Sequence, residues 1–127
     1  MTPQETVEQI YVAFGRGDIP FIISQVATSC EWRQSASAPW GGDYRGPEGV
    51  ATFFGKLNDL VETTGFEVDN NIASGPDVVS FGYYSSRNRA TGKSSRARFV
   101  FHWHFDQGKV ARYEAVLETA PIVAAAA

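Results

Sequence analysis

The 127-residue chain has one cysteine, one methionine and two histidines, and it carries no surplus of basic residues. The lone Cys30 excludes an intrachain disulfide, and its place in a short alternating stretch reads as a small buried hydrophobe rather than a reactive thiol. No apolar run approaches the roughly 20 residues that a membrane helix needs. With 11 Lys and Arg scattered among 14 Asp and Glu, the formal charge is -3. Such a chain lacks the field that draws a phosphate backbone or an anionic lipid surface, so neither nucleic acid nor membrane is expected as a partner. No cationic start followed by an apolar stretch marks a signal peptide, and the expected compartment is the cytoplasm.

What the chain does have is aromatic. Aromatic residues make up 13% and hydrophobic residues 43% of it, enough for the core of one domain, with no room for a second. The expected division is a single domain over 1–120 and a C-terminal tail over 121–127, frayed over its alanine-rich end, Ala124 to Ala127.

The densest aromatic signal lies between Ser95 and Glu118. Phe99, Phe101, Trp103 and Phe105 alternate with Arg98, Val100, His102 and His104, which is the period of a strand with one aromatic face and one half-polar face. Asp106-Gln107-Gly108 reads as a three-residue loop with glycine in the left-handed position. That loop places Phe105 opposite Lys109, Trp103 opposite Ala111, Phe101 opposite Tyr113, Phe99 opposite Ala115 and His102 beside Arg112. A one-residue slip would set Phe101 against Glu114 and mix charge into the aromatic face.

Upstream, Thr2-Pro3-Gln4-Glu5 is a capping box with proline at the first helical position. Val7, Ile10, Tyr11 and Phe14 continue at helical spacing until Gly15 and Gly17. Asp18 caps a second helix through Ile19, Ile22, Ile23 and Val26. A strand follows over Ser29–Gln34, then a loop over Ser35–Pro47 holding Trp40 and Tyr44 among turn-formers. Pro47 opens a third helix with the stripe Val50, Phe53, Phe54, Leu57, Leu60 and Val61, ended by Gly65. Phe66–Ala73 and Asp77–Arg87 read as strands broken at Ser74-Gly75-Pro76.

Few residues offer chemistry. His102 and His104 share a strand face as two metal ligands would, yet Arg112 beside them would repel a cation, and no metal site is assigned. They are placed on the outer face of the sheet. Glu31, Glu114 and Glu118 are expected to point outward toward Arg33, Arg96, Arg98 and Arg112 as ordinary ion pairs. Ser35, Ser37 and Ser86 have no histidine in reach, so a nucleophilic triad lacks support. Gly41, Gly42 and Gly46 match no phosphate-binding pattern.

Four segments in order carry a resemblance to a known family: Tyr11-Val12-Ala13-Phe14 before Gly17-Asp18; Tyr44-Arg45-Gly46-Pro47-Glu48-Gly49-Val50 before Phe53-Phe54; Asp106 to Tyr113; and Glu118-Thr119-Ala120. The chain resembles the nuclear transport factor 2-like superfamily, in its SnoaL-like, ketosteroid-isomerase-related branch. The resemblance implies an α+β fold, a curved antiparallel sheet wrapped into a cone by three N-terminal helices (a cystatin-like α+β roll). It further implies an apolar pocket at the open end and a homodimer through the outer face of the sheet.

The same resemblance shows what is replaced. In the isomerase-related branch an aspartate base follows the first strand and a protonated acid sits on the long hairpin; the positions here are Gln34 and Phe101. The branch's catalytic tyrosine falls at or one residue before Tyr11. An epoxide-hydrolase branch needs Arg-x-Asp on the strand spanning Val78–Arg87, where none occurs, and an Asp where Ala115 stands. The expected site is therefore an aromatic cavity for a small, largely apolar organic molecule, lined by Tyr11, Phe14, Trp32, Gln34, Trp40, Phe54, Phe101, Trp103 and Tyr113, with no cofactor. The alternative is a SnoaL-like isomerase, cyclase or lyase acting through Tyr11, Gln34 or Tyr113 instead of carboxylates.

Overall fold

The computed structural model describes residues 1–127. Its elements are α1 (Pro3–Gly15), α2 (Ile19–Ser24), β1 (Val26–Gln34), β2 (Gly42–Arg45), α3 (Gly46–Leu60), β3 (Val61–Ser74), β4 (Asp77–Asn88), β5 (Ser94–Asp106), β6 (Lys109–Leu117) and α4 (Ala120–Ala125). One curved six-stranded sheet runs in the order β2-β1-β6-β5-β4-β3. Helices α1, α2 and α3 cover its inner face. Every neighbouring pair is antiparallel except β1 with β6, which run parallel because β1 arrives from the helical layer and inserts beside the last strand.

Local chemistry sets the helix ends as expected. Thr2 Oγ1 accepts from the Glu5 amide at 3.1 Å while the Thr2 amide donates back to the Glu5 carboxylate at 2.9 Å, and Asp18 accepts from the Phe21 amide. The third helix ends earlier than Gly65. It stops at Leu60 and passes directly into β3 at Val61, whose backbone is already extended. The loop over Ser35–Pro47 likewise contains a strand, β2, whose Tyr44 lies opposite Trp32.

The β5–β6 hairpin departs from the expected register. Its turn is two residues long, with Gln107 at φ 51° and Gly108 at φ 78°, and Asp106 pairs with Lys109. Ala111 then bulges out, so that His104 pairs with Arg112, Trp103 with Tyr113, His102 with Glu114 and Phe101 with Ala115. Against the expected pairing the shift beyond the bulge is two residues, and a two-residue shift leaves every side chain on its original face. Phe99, Phe101, Trp103 and Phe105 are all buried, and Arg96, Arg98, His102 and His104 lie on the other side.

Ala124 and Ala125 do not fray but belong to α4. Pro121 sits in the first turn of α4, Ile122 and Ala125 are buried, and Thr91 Oγ1 donates to the Ala125 carbonyl. The alanines supply a small-radius helix that docks closely, which a composition-based reading mistakes for disorder.

Sheet curvature has a visible cause at Gly82. It stands opposite Phe99 on β5 and Val68 on β3, and a Cβ there would fall 1.9 Å from the Glu67 carbonyl oxygen and 2.8 Å from Phe99 Cζ. Hydrogen in place of a side chain lets β3, which carries an irregularity between Val68 and Asn70, fold in over the Phe99 ring.

Candidate functional site

A cavity lies between the inner face of the sheet and the helices, with about 540 Å³ of space free of protein atoms, mouth included. Fifteen of its sixteen lining residues are hydrophobic, and Gln34 is the exception. Every residue singled out from the sequence reaches this wall: Tyr11 and Phe14 from α1, Trp32 and Gln34 from β1, Trp40 from the following loop, Phe54 from α3, Phe101 and Trp103 from β5, and Tyr113 from β6. Sequence reasoning did not place in the wall Ile10 of α1, Ile22 of α2, Phe53 and Leu57 of α3, Phe66 of β3, Tyr84 of β4 or Leu117 of β6. Alternation along β4 was the available signal, since Val78, Ser80, Gly82 and Tyr84 share one face.

The rings meet in an ordered way. Phe99 and Phe101 stack at 4.0 Å between centroids and Phe66 lies 5.2 Å from Phe99, nearly parallel to it. Trp32 packs at 4.2 Å from Tyr113, and Trp103 at 4.1 Å from the same ring. Edge-to-face pairs join Trp32 to Trp103 and to Phe54. These offset and tilted arrangements are the ones aromatic quadrupoles favour, and they make the walls stiff.

Polar groups in the wall are few, and those of Tyr11, Trp103 and Tyr84 are bonded within the protein. Trp103 Nε1 donates to Tyr11 Oη at 2.8 Å, Tyr11 Oη donates to Ser80 Oγ at 2.7 Å, and Ser80 Oγ donates to Asn71 Oδ1 at 2.5 Å. Tyr84 and Thr63 share a hydrogen bond of 2.8 Å. Trp32 Nε1 is the one buried side-chain nitrogen or oxygen without a partner. Burial pushes the Tyr11 phenol up to about 12, against the pull of its bonds to Ser80 and Trp103. Tyr113 is driven well above its ordinary 10 by burial and by Tyr11 nearby, with Gln34 pulling the other way. Cys30 is raised to about 11 by burial and by Glu31, so it stays an inert thiol. The cavity wall contains no carboxylate and no histidine.

Ionic residues occupy the other side of the sheet. Asp77 Oδ1 bonds both His102 Nε2 and His104 Nδ1, each at 2.8 Å, and these bonds hold the Asp77 carboxyl below its ordinary 3.8. The neighbour of His102 is Glu114 rather than Arg112, which lies opposite His104. No group of three or more His, Cys, Asp or Glu is arranged to hold a metal ion. Glu31 pairs with Arg33 at 3.3 Å and with Arg45 at 3.8 Å, whereas Arg96 bonds Glu67 and lies 3.6 Å over the Tyr83 ring. The Arg98 guanidinium donates to Tyr83 Oη, while the Arg98 backbone amide donates to the Glu118 carboxylate at 3.4 Å.

Comparison with known proteins fits this arrangement. A family model described as a SnoaL-like domain matches residues 7–113. An NTF2-like protein from Burkholderia thailandensis superposes with a TM-score of 0.93 at 29% identity, covering 98% of this chain and 97% of that one. A second NTF2-like protein, of unknown function, from Burkholderia pseudomallei gives 0.90 at 25% identity, covering 98% and 96%. TerC, co-crystallised with polyporic acid, shares the fold with a TM-score of 0.84 at 22% identity, covering 98% and 97%. No curated protein matches the chain.

Proposed function

Because the chain belongs to the SnoaL-like domain family, we propose that it binds a small, largely apolar organic molecule within the aromatic cavity. The observation that carries this reading is the wall itself, hydrophobic at fifteen of sixteen positions and still open. A close-packed interior leaves few voids larger than a water molecule, so a cleft that stays open among stiff rings fits a guest better than a solid core. Covering one aromatic ring of a guest contributes a few kcal/mol at about 25 cal/mol per Å². TerC, which shares the fold, was co-crystallised with a small organic acid, polyporic acid.

Catalysis as an isomerase, cyclase or lyase ranks second. A general base works best with a pKa near the operating pH, and the Tyr11 and Tyr113 phenols are pushed away from that range, Tyr11 to about 12. The family resemblance sets Gln34 and Phe101 at the positions where the isomerase-related branch has acids. Binding needs neither group to move a proton.

The same reading includes a cytoplasmic homodimer formed through the outer sheet face. Val100 of β5 lies between Phe81 of β4 and Val116 of β6, and the three form an apolar row there, with Val116 54% exposed. Native mass spectrometry of freshly purified protein tests both parts. A retained small molecule on a dimer is the expected result, and a monomer that takes up no aromatic probe would refute it.

A further inference from the structure

The hydrogen bonds around Tyr11 form one chain with a fixed sense. An indole N–H can only donate, so Trp103 Nε1 occupies a lone pair of Tyr11 Oη at 2.8 Å. Tyr11 then gives its single proton to Ser80 Oγ at 2.7 Å, and Ser80, fully buried on β4, gives its own to Asn71 Oδ1 on β3. A donor that cannot accept stands at one end and an amide oxygen at the other. Both hydroxyls between them are thereby oriented, and Tyr11 keeps one free lone pair and no free proton.

We propose that the chain Trp103–Tyr11–Ser80–Asn71 makes the Tyr11 side of the cavity selective for a hydroxyl or N–H donor carried on an apolar body, with Tyr11 Oη as acceptor and Ser80 setting its polarity. This rests on the cavity being a ligand site. A ligand carbonyl brought to Tyr11 meets a lone pair instead of a proton and loses its hydration without replacement. The assignment is opposite in sense to a tyrosine that donates to a carbonyl oxygen. Nothing in the chain passes a proton onward to solvent, since it ends on an amide. Its role is to hold Tyr11 in one hydrogen-bonding state.

Phenol, benzaldehyde and toluene are suitable probes, being similar in size and differing in what they offer: a donor, an acceptor only, and neither. In titrations followed by ligand-observed NMR, the wild-type protein should prefer phenol to benzaldehyde by about tenfold, the scale of one buried hydrogen bond made or denied. Ser80→Ala removes the acceptor of the Tyr11 proton and frees that proton for the cavity, so the preference should fall at least about tenfold and turn toward benzaldehyde. Asn71→Leu, at a half-buried position more tolerant of change, should do the same by letting Ser80 turn its proton onto Tyr11. A residue that merely packs would lower all three affinities together. If toluene binds and the phenol-to-benzaldehyde ratio is near one, or is unmoved in both variants, the polarity assignment is overturned and the cavity stands. Binding of none of the three up to their solubility would overturn both.

Discussion

Replacing Tyr11 with phenylalanine removes one oxygen and leaves the ring among its neighbours, 5.1 Å from Phe66 and 5.9 Å from Trp103. Trp103, only 2% exposed, would keep an indole proton with nothing to receive it. An orphaned buried donor costs about 1–3 kcal/mol, and the bond to Ser80 disappears as well, so Tyr11→Phe should destabilise the protein by about 2–3 kcal/mol. For 127 residues the unfolding entropy is about 0.27 kcal/mol/K, which converts that loss into a fall in Tm of about 7–11 °C. Trp103→Phe removes the donor itself. In that background the Tyr11 change deletes only the Ser80 bond, worth about 1 kcal/mol, leaving a coupling of about 1–2 kcal/mol between the two positions. Urea denaturation of the four proteins measures it. Equal losses in both backgrounds, or a Tyr11→Phe loss below about 0.5 kcal/mol, would refute the account of Tyr11 as the partner that Trp103 requires.

Gly82→Ala forces a Cβ against the Glu67 carbonyl oxygen and Phe99, beyond ordinary overpacking, and should destabilise by about 3 kcal/mol or more; wild-type stability in denaturant would contradict the close approach described. Asp77 has a folded pKa below 3.8 through its bonds to His102 and His104, so its contribution is present above that value and fades as pH falls through and below it. Asp77→Asn should therefore flatten the acid limb of the stability profile, and an unchanged limb would count against the bonds. Tyr11 at about 12 and Tyr84 and Tyr113 raised above 10 contribute stability that is complete below pH 10 and is lost as pH rises toward 12. Their phenolate absorbance should appear only together with unfolding, and ionisation in a still-folded protein would disprove the burial argument. Phe81→Glu, on the apolar row of the outer sheet face, should convert a dimer to monomers in sedimentation without lowering Tm by more than about 3 °C.

Side-chain alternation was the most legible feature of the sequence. Rings at 99, 101, 103 and 105 declared their face whichever partner they met, and the wrong loop length did no damage because turn and bulge together displaced the pairing by an even number of residues. What alternation cannot reveal is the pairing of strands distant in sequence. Trp32 and Tyr113 become neighbours only through the parallel β1–β6 ladder, and no local pattern announces it. The strand β2 was hidden because Gly42 and Arg45 sit among turn-formers and its hydrogen bonds come wholly from β1. Phe66 was placed on a strand, yet its inward direction depends on pairing with Tyr84. Of the Tyr11 chain only the tyrosine and the tryptophan stood out. Ser80 and Asn71 are ordinary residues that matter through adjacency across β3 and β4.

The parallel insertion of β1 beside β6 also dictates when the pocket can exist. Trp32 and Gln34 leave the ribosome well before their backbone partners Tyr113 and Ala115, and Ser35 Oγ bonds the Ala115 carbonyl and the Leu117 amide across the same gap. Until then the first strand has β2 on one edge and nothing on the other, an unpaired edge open to foreign strands. A guest cannot assist the nascent chain before β6 has emerged, because Tyr113 and Leu117 complete the wall it would touch.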